Sequence, residues 1–244
     1  MLLRGQHCRI GFIYPANSYI DDELWKMIPT DAAVYVTRIA GGGTGPFNLH
    51  LATKLSETIE IEQAARAVAM SRPNVIAYGC TSGSFVRGVR YDKSIAECIS
   101  KATGIPAVTT SSAIVQALNE LGVRSVSVAA PYVDEICGRL RIYLEDAGFR
   151  VRNIAGLGLT DDWDFGFTPA EVFAQLAEQV NTPESDAIVI PCTGIRTAEI
   201  IEDLEKKLRK PVVTANQATM WASLKMAQCT GAVYDRGRLL RDFL

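Results

Sequence analysis

Two cysteines stand where an apolar run gives way to a polar turn, and they are the residues best placed to do chemistry. Gly79-Cys80-Thr81-Ser82-Gly83-Ser84 follows Val75-Ile76-Ala77-Tyr78, and Cys192-Thr193-Gly194-Ile195-Arg196-Thr197 follows Ile188-Val189-Ile190-Pro191. A thiolate serves as base or nucleophile, and a thiol as acid. A helix opening at such a turn would aim free N–H groups at the sulfur, lowering its pKa and offering donors to a carboxylate or enolate oxygen. The plain alternative is a buried cysteine packing as a small hydrophobe. Two matched cysteines at two matched strand ends favour the functional reading. Competing chemistry is scarce: the 2 His, His7 and His50, leave little room for a His-built metal centre or a Ser-His-Asp relay. His50 reads as a surface or lid residue. Cys8, Cys98, Cys137 and Cys229 read as packing residues. The spacing of the 6 Cys contains no Cys-x-x-Cys for zinc or a redox dithiol.

Other residues could assist. Asn17, with Ser18, follows the first strand-like run and could donate to an anionic oxygen; Tyr132 stands at the equivalent place later in the chain. Their plain readings are a loop turn and an amphipathic tyrosine. Gly41-Gly42-Gly43-Thr44-Gly45 lacks the Lys-Ser/Thr ending of a phosphate loop and reads as a mobile loop over the cleft. No G-x-G-x-x-G, H-E-x-x-H or G-x-S-x-G occurs. Neither a cofactor nor a metal is implied.

These residues need a scaffold, and the chain spells one out. Its 244 residues, 48% apolar and 21% charged with net charge −2, suit an ordinary globular protein. That balance excludes a strongly basic nucleic-acid footprint and an acidic solvating tail. No leader-like segment and no run of 18 apolar residues is visible, so no membrane association is expected; the chain reads as cytoplasmic with six reduced cysteines. Short apolar runs alternate with helical periodicity. Strands are expected at Arg9-Ile10-Gly11-Phe12-Ile13-Tyr14, 74–78, 106–109, 125–129 and 187–190. Helices are expected over 56–71, with Ile59, Ala65, Val68 and Ala69 on or near one face, over 134–147 ended by Gly148, and over 199–208. Thr168-Pro169-Ala170-Glu171 reads as a capping box. Continuous apolar strands between helices mean a parallel α/β architecture.

Laid over each other, the halves match in order. Ile13-Tyr14-Pro15 pairs with Ala130-Pro131-Tyr132, and Val34-Tyr35-Val36 with Val151-Arg152. Residues 76–81 pair with 188–193, and 106–113 with 211–218, and the four pairings lie at offsets of roughly 105 to 117 residues. The expectation is two similar flavodoxin-like parallel-sheet subdomains related by a pseudo-two-fold duplication, 1–114 plus 215–244 and 115–214. Ligands in such sheets bind beyond the carboxyl ends of the strands, so Cys80 and Cys192 would face one another across the cleft between them.

On these residues the chain resembles the aspartate/glutamate racemase superfamily, and within it the branch of maleate cis-trans isomerases and arylmalonate decarboxylases. The two cysteine turns carry the resemblance. Pro15-Ala16-Asn17, Pro131-Tyr132-Val133-Asp134-Glu135, Gly156-Leu157-Gly158-Leu159 and the stretch from Pro211-Val212-Val213 to Trp221 extend it over nearly the whole chain. The resemblance implies cofactor-free chemistry beside a carboxylate, with Cys80 as base or nucleophile and Cys192 as the opposite acid or base. Thr81, Ser82, Tyr132, Thr193 and Gly194 would cradle the carboxylate and enediolate, and Asn17 would hold a carboxylate. The chain departs from the branch in two ways. It has Asp161-Asp162 where maleate isomerases carry Asp-Asn, and an ionised Asp162 would repel a carboxylate. Its Thr81-Ser82-Gly83-Ser84-Phe85-Val86-Arg87-Gly88 turn is closer to the decarboxylases, which lack a cysteine at the place of Cys80. The resulting reading is a cofactor-independent isomerase or racemase of a small carboxylic acid, compatible with a homo-oligomer. The alternatives are a decarboxylase protonating through Cys192 and a non-catalytic carboxylate-binding or regulatory protein. Thiols of ordinary reactivity would mark the last.

Overall fold

The computed structural model describes residues 3–41 and 45–244. The centre of the glycine-rich loop, 42–44, lies outside the described residues. The first half runs β1 (Cys8–Pro15), α1 (Asp21–Trp25), β2 (Ala32–Ile39), α2 (Leu49–Lys54), α3 (Thr58–Ala69), β3 (Val75–Tyr78), α4 (Thr81–Phe85), α5 (Val89–Thr103), β4 (Ala107–Thr109) and α6 (Thr110–Glu120). The second runs β5 (Ser125–Ala130), α7 (Asp134–Asp146), β6 (Arg150–Gly156), α8 (Asp162–Phe167), α9 (Ala170–Val180), β7 (Ala187–Ile190), α10 (Ile201–Leu208), β8 (Val212–Thr214), α11 (Ala215–Met226) and α12 (Arg238–Asp242).

The strands form two four-stranded, all-parallel sheets of identical topology, β2-β1-β3-β4 and β6-β5-β7-β8. β3, β5, β7 and β8 are buried along their whole length, as strands covered on both faces must be, which is why β3 and β7 read as unbroken apolar runs. One hydrophobic core runs through both halves.

The repeat is clearest at the fourth strand of each sheet. β4 ends at Thr109, whose hydroxyl accepts from the Ser112 N–H and caps α6. β8 ends at Thr214, which forms a full capping box with Gln217 and opens α11. α6 and α11 pack against each other at the centre of the molecule, and α11 reaches β3 and β4 as well as β8. Because α11 is surrounded, its residues from Ala215 to Leu224 are all buried and it shows no amphipathic face.

Several expectations are corrected. Thr168 does not cap α9: its hydroxyl donates to the Asp164 carbonyl, and Pro169 takes the N-cap position. The helix read over 56–71 spans Thr58–Ala69 and turns Ile61, Ala64, Ala65 and Val68 inward, leaving Ile59 73% exposed. The helix read from 199 starts at Ile201, after a turn. Gly148 does follow α7 with φ +98°, a conformation that glycine adopts without strain. The six cysteines are not all thiols. Cys8 opens β1 beside the segment that leaves α11, the Cα atoms of Cys8 and Cys229 are 5.8 Å apart, and the two are disulfide-bonded. Cys80, Cys98, Cys137 and Cys192 are free. Among the described residues no helix is long and apolar enough to cross a membrane.

Candidate active site

Parallel strands put all their carboxyl ends on one side of each sheet, and the functional side chains follow from those ends. Asn17 comes two residues after β1, Cys80 two after β3, Tyr132 two after β5 and Cys192 two after β7. All four line a single cavity with Ser18, Thr81, Ser82, Thr193 and Gly194. Every site residue singled out from the sequence is thus gathered there. His50 lies exposed on α2, away from the cavity lining.

Short links hold the two cysteine turns together across the halves. The Thr193 hydroxyl donates to the Gly79 carbonyl at 2.9 Å, and the Tyr14 hydroxyl donates to the Thr193 carbonyl at 2.5 Å. Asn216, on α11, donates to that same carbonyl at 3.2 Å. Gly79 is required here, because a Cβ would collide with the Phe12 ring. Gly83 is required as well: a Cβ there would strike the Tyr78 hydroxyl and press on the Cys80 sulfur at 3.0 Å. Ser84 and Ser111 bind each other and the Thr81 carbonyl, fixing the turn after Cys80 from behind.

The two turns differ in detail. After Cys80 comes α4, a single five-residue helix, whereas the segment after Cys192 is a turn and no helix begins until Ile201. Cys192 itself has φ 150°, in a region that side-chain-bearing residues rarely occupy, so its backbone is strained at the point where its sulfur enters the cavity. Thr193 and Thr81 follow the two cysteines, but only Thr193 is bonded. The Thr81 hydroxyl, on a residue 2% exposed, has no hydrogen-bond partner among the described residues. A buried hydroxyl without a partner is costly, and a ligand oxygen in the cavity would satisfy it.

The electrostatics correct one expectation. Burial pushes the Cys80 thiol up, and the Gly83 N–H, the Ser82 hydroxyl and Tyr78 only partly offset it. Cys192 is pushed up to about 12 by burial, against the Gly194 N–H at 3.3 Å from its sulfur and the Tyr132 phenol. Desolvation outweighs the few donors available, so both sulfurs rest as neutral thiols rather than activated thiolates. The negative charge of Asp162 adds to the rise at both. Burial also raises Asp162, although the Asn17 amide donates to its carboxylate and draws it down.

Sequence reasoning missed part of the site. Phe47, Leu55 and Phe165 give the cavity an apolar wall, with Phe47, Phe165 and Tyr132 in mutual ring contact. Phe47 precedes α2 and Phe165 sits within α8, and no motif marks either. Glu23 was missed as well. Buried in α1, it accepts from the Thr197 and Ala198 N–H groups at 2.5 and 2.6 Å and so holds the turn after Cys192. No group of three metal-binding side chains gathers among the described residues. The arrangement offers two proton-carrying sulfurs, hydroxyls and backbone N–H groups for an anionic oxygen, and walls that limit water.

The chain is similar in sequence and fold to known proteins. Residues 51–240 match the family model described as arylmalonate decarboxylase. The chain is 29% identical over 165 residues to an arylmalonate decarboxylase of Bordetella bronchiseptica, covering 67% of this chain and 69% of that protein. It is 26% identical over 246 residues to a maleate isomerase of Nocardia farcinica, covering 96% of each. A liganded double-mutant crystal structure of arylmalonate decarboxylase superposes with a TM-score of 0.87 at 26% identity, covering 96% of this chain and 98% of that one.

Proposed function

The chain belongs to the arylmalonate decarboxylase family, and from that premise we propose that it is a cofactor-independent isomerase or racemase of a small carboxylic acid, working through Cys80 and Cys192. The observation that carries the reading is the pair of free cysteines lining one cavity from equivalent strand ends. Protonation through Cys192 alone would leave Cys80 without a task.

In a racemisation, one sulfur as thiolate takes the proton from the carbon beside the carboxylate. The electron pair moves into an enediolate, and the opposite thiol returns a proton on the other face. In a cis-trans isomerisation, the Cys80 thiolate adds to an alkene carbon, forming a C–S bond as the π bond breaks. Rotation about the new single bond and expulsion of the thiolate give the trans acid. Both routes place negative charge on carboxylate oxygens. Thr81 supplies its free hydroxyl there, with Ser82, Tyr132 and the Thr193-Gly194 segment completing the cradle and Asn17 bordering it. Neutral resting thiols require that the attacking sulfur release its proton to solvent before it reacts, so turnover rises with pH as long as the opposite thiol stays protonated.

A second reading is favoured by the family match itself. A malonate-type substrate would lose carbon dioxide, and Cys192 would protonate the enediolate. The relatives' names supply the acids to test, maleate and arylmalonates. Incubating the protein in D₂O with these, with amino acids and with hydantoins, followed by NMR, separates the reactions. Alkene isomerisation or α-deuteration with retained carboxylate supports the proposal; loss of carbon dioxide as the sole reaction supports the decarboxylase. A cytoplasmic location belongs to the same proposal.

A further inference from the structure

The cavity lining holds one carboxyl group, and when ionised it has the wrong sign for a dicarboxylate. Among its lining side chains Asp162 is the only carboxylic acid, and none is Lys, Arg or His. The nearest donor that could offset it is the Asn17 amide, which already donates to Asp162. That bond uses an N–H that would otherwise face a substrate carboxylate. It leaves the pair rich in acceptors, with the second carboxylate oxygen and the amide carbonyl. Donors lie elsewhere in the lining, in the Thr81 hydroxyl, which has no hydrogen-bond partner among the described residues, and in the Ser82 and Tyr132 hydroxyls. The site can therefore hold one anionic group on its hydroxyls and has an acceptor to spare for a group bearing N–H.

We propose that Asp162 is the specificity-determining residue of this cleft: its carboxylate, held by Asn17, accepts from an ammonium or ring N–H on the carbon beside the substrate's carboxylate and disfavours a second carboxylate there. This rests on the proposed use of the cleft for small carboxylic acids and deepens it. The substrate class becomes α-amino acids or cyclic amides, and unmodified dicarboxylates are disfavoured. A charge in a partly enclosed site is weakly screened, so replacing ammonium by carboxylate beside Asp162 changes attraction into repulsion of similar size.

Three probes differ only in the group on the carbon beside the carboxylate: phenylacetate has hydrogen, phenylglycine an ammonium and phenylmalonate a second carboxylate. Their affinities are measured by calorimetry near neutral pH, or as KM where a probe turns over, for the wild type and for Asp162→Asn. Asp162→Ser serves as a second variant should the first fold poorly. The wild type is expected to bind phenylglycine at least ~10-fold more tightly than phenylmalonate. In Asp162→Asn that ratio collapses as phenylglycine weakens and phenylmalonate tightens, while phenylacetate changes least. An unchanged ratio, a wild type that prefers phenylmalonate, binding of none of the three, or equal weakening of all three by both variants overturns the proposal. The last result would mean that Asp162 only shapes the cavity. The cysteine chemistry is judged separately by turnover of single-cysteine variants, so an inactive cysteine pair and an indifferent Asp162 give different results.

Discussion

Replacing Glu23 by alanine removes, among the described residues, the only side-chain acceptor of two buried N–H groups, and its cost can be worked from the structure. Glu23 is 1% exposed, and Thr197 and Ala198 are 2% and 1% exposed, so neither freed N–H reaches water without rearrangement. Leaving a buried donor unsatisfied costs about 1–3 kcal/mol, and bonds to a carboxylate lie at the upper part of that range. Some water will enter the space vacated by the side chain, which brings the expected loss for Glu23→Ala to about 2–4 kcal/mol. For a chain of this size that corresponds to roughly 5–15 °C in Tm. Glu23→Gln keeps a carbonyl oxygen for the same two groups and should lose only about 1 kcal/mol. Urea unfolding of the three proteins tests the ordering, read as a change in midpoint at constant slope. The variants should also lose turnover in the same order, because the freed turn positions Cys192. A midpoint for Glu23→Ala matching the wild type, or a loss for Glu23→Gln as large as that for alanine, would refute the reasoning.

Two further outcomes follow from the same geometry. Gly79→Ala drives a methyl group into Phe12 beneath the first cysteine turn and should destabilise by about 1–3 kcal/mol in the same urea assay, with lower turnover; a neutral result would contradict the tight packing there. Cys192 is held in its neutral form, with a pKa of about 12 against an ordinary 9.0. The stabilisation it contributes is therefore complete below the ordinary value and is lost as pH rises from about 9 toward 12. The ultraviolet thiolate signal that disappears in Cys192→Ser should emerge only on the alkaline side of an ordinary thiol, and a step at the ordinary 9.0 would contradict the burial argument.

The fold was legible because its strands are covered on both faces, so burial wrote continuous apolar runs such as Ile188-Val189-Ile190 into the sequence. The pairing of Cys80 with Cys192 was legible because the two halves keep the same order of elements around their strand ends. What escaped was set by contacts across long separations. Glu23 looks like an ordinary acidic residue in the first turn of a helix, and nothing near it announces partners 174 and 175 positions away. Cys8 and Cys229 are 221 residues apart, and their meeting depends on where the chain returns after α11. Asp162 was noticed as a departure from the family pattern, but its bond to Asn17 required the two loops to be brought together. Local chemistry also misled. Thr168 had the spacing of a cap, and an available carbonyl one turn back, at Asp164, captured its hydroxyl instead. At the cysteines, the expected donors exist, but desolvation of the sulfurs outweighs them.

The central claim is that both cysteines act on the substrate. Its most direct test is the turnover of Cys80→Ala and Cys192→Ala, each alone, on the acid that the wild type converts, followed by NMR in D₂O. A two-cysteine mechanism predicts that either substitution abolishes conversion while the folded structure is retained. Full conversion by Cys80→Ala alongside complete loss in Cys192→Ala would contradict it and assign the cleft to decarboxylation through a single sulfur.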